Sequence, residues 1–172
     1  MNAPDAKELM TPSPAWCVPS DSLDTAARRM AEYDCGALPV VDDPVTRRPV
    51  GVITDRDIIL RVVAHGKSTF DFTVGEVMSG DPITLRVDAT FHECARAMMT
   101  HRVRRILVVD DRGKEIGVVT DGDLARACRQ DPELEHEVAE MLEGVSDPTH
   151  FSGAPVIEIT LTGQVTRRPP GE

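Results

Sequence analysis

The sequence predicts an α/β protein in which one strand–helix–strand–strand–helix unit occurs twice. The segment Leu-Pro-Val-Val-Asp-Asp at residues 38–43 aligns with Ile-Leu-Val-Val-Asp-Asp at residues 106–111. The segment Gly-Val-Ile-Thr-Asp at residues 51–55 aligns with Gly-Val-Val-Thr-Asp at residues 117–121. Such a repeat decides the fold before any single element does. Because each unit is too small to bury its own faces well, we expect the two units to share a core.

The first helix of each unit carries an apolar stripe at positions i, i+3, i+4, i+7 and i+8. In the first unit the stripe begins after Ser22. In the second unit it follows Thr90, which forms a capping-box pattern with Glu93. Gly36 fits a helix stop in the first unit, and Arg104 stands at this place in the second. The stripes are Leu23, Ala26, Ala27, Met30 and Ala31, and Phe91, Cys94, Ala95, Met98 and Met99.

The strands of each unit are short and rich in Val, Ile and Leu. Polar turns join the last two strands of each unit, which predicts hairpins. The predicted strands cover residues 16–18, 37–41 and 50–53, and residues 83–85, 105–109 and 116–119. A second helix follows each hairpin, and its apolar residues are Ile58, Ile59, Val62 and Val63, or Leu124, Ala127 and Cys128.

The predicted segments of the chain are residues 7–74 for the first unit, 75–130 for the second and 131–172 for a C-terminal part. The C-terminal part begins with an acidic helix over residues 131–143. The apolar face of this helix is formed by Leu134, Val138, Met141 and Leu142. Residues 156–161 are a candidate edge strand, and residues 166–172 are expected to be disordered.

The composition restricts the possible functions. The chain has 172 residues, of which 41% are apolar and 28% are charged, and its formal net charge is −10. This acidic excess argues against general nucleic-acid binding, which needs a basic surface. The four cysteines form no Cys-x-x-Cys pair, so neither a disulfide framework nor a zinc knuckle is indicated. Without a signal-peptide pattern or a membrane-spanning apolar run, we expect a cytoplasmic protein with no membrane contact.

The ordered set of motifs, present twice, resembles a tandem pair of cystathionine-β-synthase (CBS) domains, also called a Bateman module. The resemblance extends over roughly residues 7 to 130 and is to stand-alone bacterial proteins with two CBS domains. The segments that carry it are the Met-Thr and Met-Ser starts at residues 10–11 and 78–79, and residues 36–42, 51–57, 101–110 and 117–123.

The resemblance implies a fold, a ligand class and an assembly. The two α/β repeats would pack by their sheets about a pseudo-two-fold axis, with two clefts between them. These clefts hold adenosyl ligands in the family, namely AMP, ADP, ATP, NAD or S-adenosylmethionine, as regulatory ligands rather than required cofactors. Such modules usually form flat homodimers and are not enzymes. Because the sequence shows no effector domain, the signal is expected to reach an unknown partner protein in trans.

The family motif Gly-h-x-Thr/Ser-x-x-Asp gives the candidate ribose site. By resemblance, the Asp holds the ribose hydroxyls and the Thr or Ser contacts ribose or phosphate. These roles fall to Asp57 with Thr54, and to Asp123 with Thr120. A carboxylate accepts two charge-assisted hydrogen bonds from a vicinal diol, and helix N–H groups favour a nearby phosphate. The same spacing is close to a capping box, which stabilises any helix start, and the two roles can coexist.

Arg102, Arg104 and Arg105 form the basic cluster of the repeats. Phosphate capture is favoured for Arg104 and Arg105, whereas a solvated turn paired with carboxylates is favoured for Arg102. The first unit has Asp34, Gly36 and Ala37 at the equivalent places. We therefore expect two clefts that differ in charge and in affinity for phosphate. Arg56 is a weaker candidate, because the second unit has Gly122 there.

Apolar and backbone contacts to the base complete the candidate site. Ile83 and Thr84, and likewise Ala15 and Trp16, lie where the family packs on adenine. Trp16 fits a plain core contact about as well. The remaining candidate ligand-binding residues are Gly36, Ala37 and Val103.

Two other classes of function stay open. An interaction or stress-response protein would have the same fold, with clefts that are empty or filled by side chains. An enzyme would need a turnover site, and the sequence contains neither a nucleophile elbow nor a P-loop. The five histidines show no zinc-ligand spacing, so no metal is predicted, and a site assembled in three dimensions stays open.

Overall fold

A computed structural model describes residues 3–129, 134–146, 156–159 and 165–168. The elements up to residue 71 are α1 (Ala6–Leu9), β1 (Thr11–Pro12), α2 (Leu23–Glu32), β2 (Ala37–Val41), β3 (Pro49–Thr54), α3 (Asp55–Arg61) and two 3₁₀ turns (Val63–His65 and Thr69–Asp71). The elements that follow are α4 (Val74–Val77), β4 (Ser79–Gly80), β5 (Thr84–Arg86), α5 (Phe91–His101), β6 (Arg105–Val109), β7 (Glu115–Thr120), α6 (Asp121–Cys128), α7 (Glu135–Ser146), β8 (Val156–Ile159) and β9 (Val165–Arg168). This order confirms the predicted α/β class and the repeated unit.

Each repeat is built on one antiparallel hairpin, as the sequence predicts. β2 pairs with β3, and β6 pairs with β7. The pairing shifts register at the equivalent place in both hairpins, close to the turn. The predicted leading strand of the second repeat is β5, which pairs in parallel with β6. In the first repeat this strand is reduced to one parallel bridge between Cys17 and Val40.

The side chains of each hairpin alternate between two faces. One face packs under the helices of its own repeat. Leu38 and Ile53 are fully buried in the first core, and Ile106 and Val119 in the second. The opposite faces of the two hairpins carry residues that line shared clefts, namely Ala37, Pro39, Val52, Arg105, Leu107, Val118 and Thr120.

The segment that leads each repeat is exchanged onto the other repeat. β1 pairs with β7 of the second hairpin, and β4 pairs with β3 of the first. The short helices follow the same exchange, because Ala6 of α1 is buried in the second core while Val74 and Val77 of α4 are buried in the first. Each core is therefore completed by the segment that precedes the other repeat. The division of the chain between residues 74 and 75 stays a prediction.

Two glycines allow the exchanged segments to cross the hairpins closely. A Cβ atom at Gly51 would lie 2.7 Å from the carbonyl oxygen of Ser79 and 2.7 Å from Sδ of Met78. A Cβ atom at Gly117 would lie 2.9 Å from Cγ of Met10. The repeated glycine and the methionine at the start of each repeat thus belong to one packing contact.

A buried ion pair joins the turn of the first hairpin to the second hairpin. Arg47 donates to the carboxylate of Glu115, and the Arg47 carbonyl oxygen accepts from the Glu115 N–H at 2.9 Å. Glu115 is fully buried, and burial raises the pKa of its carboxyl by more than Arg47 lowers it. The Arg47 guanidinium lies 5.4 Å from the ring centre of Trp16, so Trp16 supports this contact through a cation–π interaction.

The predicted helical stripes are too wide. Ala27 and Ala31 are exposed, because they lie at one edge of the apolar stripe while the helix is buried through Leu23, Ala26 and Met30. In the second repeat Met99 is 42% exposed. Its side chain lies against α7 instead of the sheet, since a Cβ atom at Gly144 would be 3.0 Å from Cγ of Met99.

The predicted helix stop at Gly36 is wrong. α2 ends at Glu32, and Asp34 takes the left-handed backbone conformation with φ of 48°. Arg102 takes this conformation in the second repeat, with φ of 53°. The turn after the helix is therefore conserved in geometry between the repeats without a glycine, and Gly36 lies beyond it.

The C-terminal part differs from the prediction in three ways. The acidic helix α7 ends at Ser146 rather than residue 143, and residues 131–133 lie outside the described residues. Leu134, Val138 and Met141 are buried as predicted, but Leu142 is exposed. β8 confirms part of the predicted edge strand and pairs with β9. The prediction of disorder is wrong for residues 166–168, and residues 169–172 lie outside the described residues.

The glycine–methionine contacts predict that a methionine-to-alanine substitution will restore stability to a Gly117 variant but not to a Gly51 variant. Gly51→Ala and Gly117→Ala should each destabilise the fold by about 1–3 kcal/mol through overpacking. Adding Met10→Ala should restore much of the stability of Gly117→Ala, because the new methyl group meets the Met10 side chain. Adding Met78→Ala should not restore Gly51→Ala, because the Ser79 carbonyl oxygen remains. Urea unfolding measures both, and equal rescue in the two pairs would contradict the contact.

The buried ion pair predicts a stability change that depends on pH. Arg47→Ala should destabilise the fold by about 3–5 kcal/mol at neutral pH, because it leaves the Glu115 carboxylate buried and unpaired. Because the pKa of Glu115 is raised in the folded protein, the folded chain keeps the Glu115 proton to a higher pH than the unfolded chain does. The stabilisation by protonated Glu115 is complete below the unfolded pKa of about 4.3 and is lost as pH rises through the native pKa.

The destabilisation by Arg47→Ala should therefore shrink as the pH is lowered, and unfolding curves over a pH series will measure it. The variant that also carries Glu115→Gln is the control, because its carboxyl cannot titrate. A destabilisation by Arg47→Ala that is the same at every pH would show that Glu115 does not respond to the loss of Arg47.

Candidate functional site

Both Thr-x-x-Asp motifs lie at a strand-to-helix junction and form complete capping boxes. Thr54 Oγ1 accepts from the Asp57 N–H at 3.0 Å, and Asp57 Oδ2 accepts from the N–H and hydroxyl of Thr54 at 3.0 and 2.6 Å. Thr120 and Asp123 repeat this pattern at 3.3, 2.7 and 2.6 Å. The helix-capping role is therefore present in both repeats. In each carboxylate, Oδ2 already accepts two hydrogen bonds, and Oδ1 is the oxygen that lies outside the cap and can accept from further partners.

The two aspartates differ in their arginine partners. Asp57 Oδ1 lies 3.1 Å from Nη2 of Arg61, which is 7% exposed and also donates to the Ser79 hydroxyl at 3.0 Å. Asp123 instead pairs with Arg126, whose side chain is 68% exposed. Buried Arg61 contacts both Asp57 and Ser79 of β4, so it holds Asp57 more firmly than the exposed Arg126 holds Asp123.

A first cleft, which we call the basic cleft, has a volume of about 540 Å³. It is lined by Val52, Thr54, Arg56 and Asp57, residues 79–83, residues 101–105 and Leu107. Its described lining contains four arginines, at positions 56, 102, 104 and 105, against two aspartates, at positions 57 and 81. The arginines of the second repeat thus share a cleft with the Thr-x-x-Asp motif of the first.

A second cleft, which we call the apolar cleft, has a volume of about 480 Å³. It is lined by residues 11–15, Tyr33, residues 35–39, Val52, Arg105, Leu107, Val118 and Thr120. Arg105 is the one charged side chain among these described lining residues. The expected difference in charge between the two clefts is present in the structure.

The exchange of β1 and β4 explains which residues meet. Residues 11–15 and 79–83 are equivalent in the repeat, and each segment lines the cleft whose Thr-x-x-Asp junction comes from the other repeat. The basic cleft brings together seven predicted residues, namely Thr54, Arg56, Asp57, Ile83, Val103, Arg104 and Arg105. The apolar cleft brings together Gly36, Ala37, Thr120 and, again, Arg105.

Two predicted residues line neither cleft. Thr84 begins β5 and is exposed, and Asp123 is 7% exposed beneath its Arg126 partner. Of the residues predicted to meet the base, Ile83 and Ala15 lie in clefts. Trp16 lies between Arg29 and Arg47 instead, at 5.9 and 5.4 Å from the two guanidinium carbons.

The arginines of the basic cleft differ in how they are occupied. Arg104 lies 3.9 Å from the Asp121 carboxylate and donates to the Ser146 hydroxyl at 3.1 Å. Arg105 is half-buried, and its side chain has no ion pair or hydrogen bond with any residue in the described part of the chain. A half-buried guanidinium without a carboxylate partner favours binding of an anion.

Sequence reasoning missed several cleft residues. Asp81 and His101 line the basic cleft, and Tyr33 and Cys35 line the apolar cleft. The available signal was the alignment of the repeats, because Tyr33 is equivalent to His101 and Cys35 to Val103. Once either segment is a candidate, its counterpart in the other repeat becomes one too.

The described residues offer little for covalent or metal chemistry. Burial raises the pKa of the Cys17 thiol, and it raises the pKa of Cys94 to about 11, so both stay protonated and unreactive near neutral pH. Nowhere in residues 3–129 and 134–146 do three His, Cys, Asp or Glu side chains gather as metal ligands. The described helices are all too short or too polar to cross a membrane.

Comparison with known families identifies the two repeats. The CBS domain family matches residues 6–64 and 74–130, which together make up most of the chain. The chain belongs to the CBS domain family. The resemblance seen in the repeated motifs is therefore confirmed, and the structure is a pair of CBS repeats with two clefts between them.

Several relatives share the paired CBS architecture. The protein YlbB of Bacillus subtilis is 33% identical over 138 residues, which are 80% of this chain and 91% of YlbB. The crystal structure of Hypoxic Response Protein I with two coordinated zinc ions has a TM-score of 0.63 and 32% identity, over 72% of this chain and 98% of that one. Its namesake among the sequence relatives comes from Mycobacterium tuberculosis.

A third relative was crystallised with a nucleotide. The structure of CBSX2 in complex with AMP has a TM-score of 0.63 and 32% identity, over 73% of this chain and 96% of that one. CBSX2 is a protein of Arabidopsis thaliana. These comparisons show the paired CBS fold of the present chain.

Proposed function

We propose that the chain is a regulatory protein that binds a phosphate-bearing adenine nucleotide in the basic cleft. One observation carries this proposal: the Thr54–Asp57 junction of the first repeat and the unpaired Arg105 of the second line the same cleft. A carboxylate and a guanidinium at two walls of one cleft suit the ribose and the phosphate of one nucleotide. The AMP complex of CBSX2 supports the same ligand class.

Each cleft residue has a proposed role that follows from its position. Asp57 accepts hydrogen bonds from the ribose diol, and buried Arg61 holds its carboxylate in place. The Thr54 hydroxyl stays within the capping box and contacts ribose or phosphate at the helix start. Arg105 and Arg104 bind phosphate oxygens, and Ile83 and Val103 pack on the base. Arg56 is an additional phosphate contact at the rim.

The charge of the cleft narrows the ligand class. AMP, ADP, ATP and NAD all bring at least one phosphate to the four arginines of the basic cleft. S-adenosylmethionine carries a sulfonium, an ammonium and a carboxylate instead, and its net positive charge is disfavoured there by like-charge repulsion. We therefore rank the phosphate-bearing nucleotides above S-adenosylmethionine for this cleft. The apolar cleft, with Gly36, Ala37 and Thr120, suits a less charged ligand.

The proposed output is a change in packing between the two repeats. A ligand signals only if it binds one arrangement of the repeats better than another. The supporting observation is that the lining of the basic cleft comes from both repeats, so a ligand there contacts both of them. We assign no catalytic step to the chain, and the signal would pass to a partner protein in trans, in the cytoplasm.

The second candidate function is ligand-free protein interaction. The observation in its favour is that both Thr-x-x-Asp motifs already form complete capping boxes. The Thr and the Asp of each motif therefore have a structural role that does not require a nucleotide. The unpaired Arg105 is not explained in this way, which places nucleotide binding first.

We further propose that the protein forms a homodimer through the end of α3 and the 3₁₀ turn that follows it. Ile59 and Leu60 of α3 are 54% and 45% exposed, and Val63, in the 3₁₀ turn that follows, is 52% exposed. Neighbouring exposed apolar side chains of this kind mark interaction surfaces. The equivalent residues of the second repeat are Ala125, Arg126 and Arg129. The α3 patch, defined by these three residues of the first repeat, is thus specific to one repeat.

Nucleotide binding predicts a rise in melting temperature. Saturation at about 100 times the dissociation constant should stabilise the native state by roughly 2.7 kcal/mol. We expect this shift with AMP, ADP or ATP in protein freed of co-purified ligand. Asp57→Asn and Arg105→Ala should each weaken binding roughly tenfold to hundredfold, through loss of charge-assisted hydrogen bonds. Calorimetric titration measures these constants.

Asp123→Asn is the matched control, because it makes the same substitution in the equivalent capping box outside the basic cleft. It should leave the strongest nucleotide-binding constant unchanged. No nucleotide-dependent shift in the wild-type protein would favour the interaction-protein alternative. Equal weakening by Asp57→Asn and Asp123→Asn would refute the assignment to the basic cleft.

The α3 patch predicts a change in assembly. Leu60→Arg introduces the residue that the second repeat has at the equivalent place, Arg126, and should convert the dimer to a monomer by placing a charge in an apolar interface. Sedimentation velocity measures the mass. Asp71→Arg, an exposed change of charge outside the patch, is the control and should stay dimeric. A wild-type protein that sediments as a monomer, or a Leu60→Arg variant that stays dimeric, would remove the proposed interface.

A further inference from the structure

The two clefts share one layer of lining residues. Val52, Arg105 and Leu107 line both of them. Arg105 stands opposite Thr120 in the second hairpin, and Leu107 stands opposite Val118. These residues lie on the hairpin face that looks away from the core, where the two repeats meet. Arg105 is the one charged member of this shared layer.

The repeat gives two equivalent strand positions at which an arginine could stand, 37 and 105, and only position 105 carries one. The residue equivalent to Arg105 in the first repeat is Ala37, which lines the apolar cleft and stands opposite Thr54. Within the described residues, Arg105 has no carboxylate partner, whereas Arg47, Arg61 and Arg126 each have one. Its charge is therefore available to a ligand from either side.

Anion binding would depend on Arg105 more strongly in the apolar cleft than in the basic cleft. An anion in the basic cleft also meets Arg56, Arg102 and Arg104. Among the described residues of the apolar cleft, an anion meets Arg105 alone. A guanidinium binds one phosphate best as a planar, bidentate fork. Sharing it between two phosphates would divide these hydrogen bonds and bring two negative groups close together.

We propose that Arg105 serves one cleft at a time, so that a phosphate-bearing nucleotide in the basic cleft weakens anion binding in the apolar cleft. The inference rests on the proposed function, because it assumes that a nucleotide enters the basic cleft. With Arg105 engaged, the apolar cleft has no cation for a phosphate and takes a neutral nucleoside instead. Binding of a neutral nucleoside there does not depend on the state of Arg105.

The test follows each cleft separately by methyl NMR during titration with AMP. The Ile83 methyl group reports on the basic cleft only, and the Val118 methyl groups report on the apolar cleft only. In the wild-type protein, Ile83 should respond first, and Val118 should respond at concentrations roughly tenfold to hundredfold higher. An Arg105 that bridges two ligands would instead make Val118 respond at the same concentration or a lower one, which would overturn the proposal.

Two variants separate competition from a fixed difference between the clefts. Asp57→Asn weakens binding in the basic cleft and frees Arg105, so the Val118 response should move to roughly tenfold lower AMP. Arg104→Ala removes a phosphate contact that lines the basic cleft and not the apolar cleft, so it should also free Arg105 and move the Val118 response in the same direction. Titration with adenosine should give the same Val118 response in the wild-type protein and in Asp57→Asn.

The outcomes distinguish this inference from the proposed function. A Val118 response to AMP that is unchanged in both variants would overturn the sharing of Arg105 and leave nucleotide binding in the basic cleft intact. No response of Ile83 to AMP in the wild-type protein would overturn the proposed function, and the sharing with it. Arg104→Ala keeps the test decisive if Asp57→Asn does not fold, because it weakens the basic cleft and leaves the Asp57–Arg61 pair in place.

Discussion

The rest of the structure depends on the exchange of a short helix and strand between the two repeats. Neither hairpin could bury both faces alone, and each is completed by the segment that precedes the other repeat. The contact is close enough that Gly51 and Gly117 have no room for a side chain beyond hydrogen. Because of this exchange, each cleft is made of residues from both repeats. A ligand in either cleft must therefore contact, and can alter, the packing between the repeats.

The hairpins, the capping boxes and the difference in charge between clefts could be predicted, because they depend on local pattern and on alignment of the repeats. The exchange itself could not, since nothing local shows that Met10 packs on Gly117 rather than on its own repeat. Because the exchange was not predicted, the sequence also did not show that Arg105 lines both clefts. The ion pair of Arg47 with Glu115 was missed because it joins a turn in one repeat to a strand in the other.

Near-symmetry with a few substitutions gives the molecule two unequal sites. The equivalent pairs Gly36 and Arg104, and Ala37 and Arg105, place positive charge on one side of the interface only. Equivalent aspartates likewise differ, because Asp57 lines a cleft and is held by buried Arg61, whereas Asp123 is covered by exposed Arg126. Small changes on a shared backbone thus suffice to separate a cleft lined by four arginines from an apolar one.

The most direct test of the central claim is a crystal structure of the protein grown with AMP. We predict AMP in the cleft between the repeats, with its ribose hydroxyls on the Asp57 carboxylate and its phosphate on Arg105. AMP bound at the Thr120 junction instead, or bound outside both clefts, would contradict the account. Clefts without AMP at a concentration that saturates CBSX2 would favour the ligand-free interaction protein.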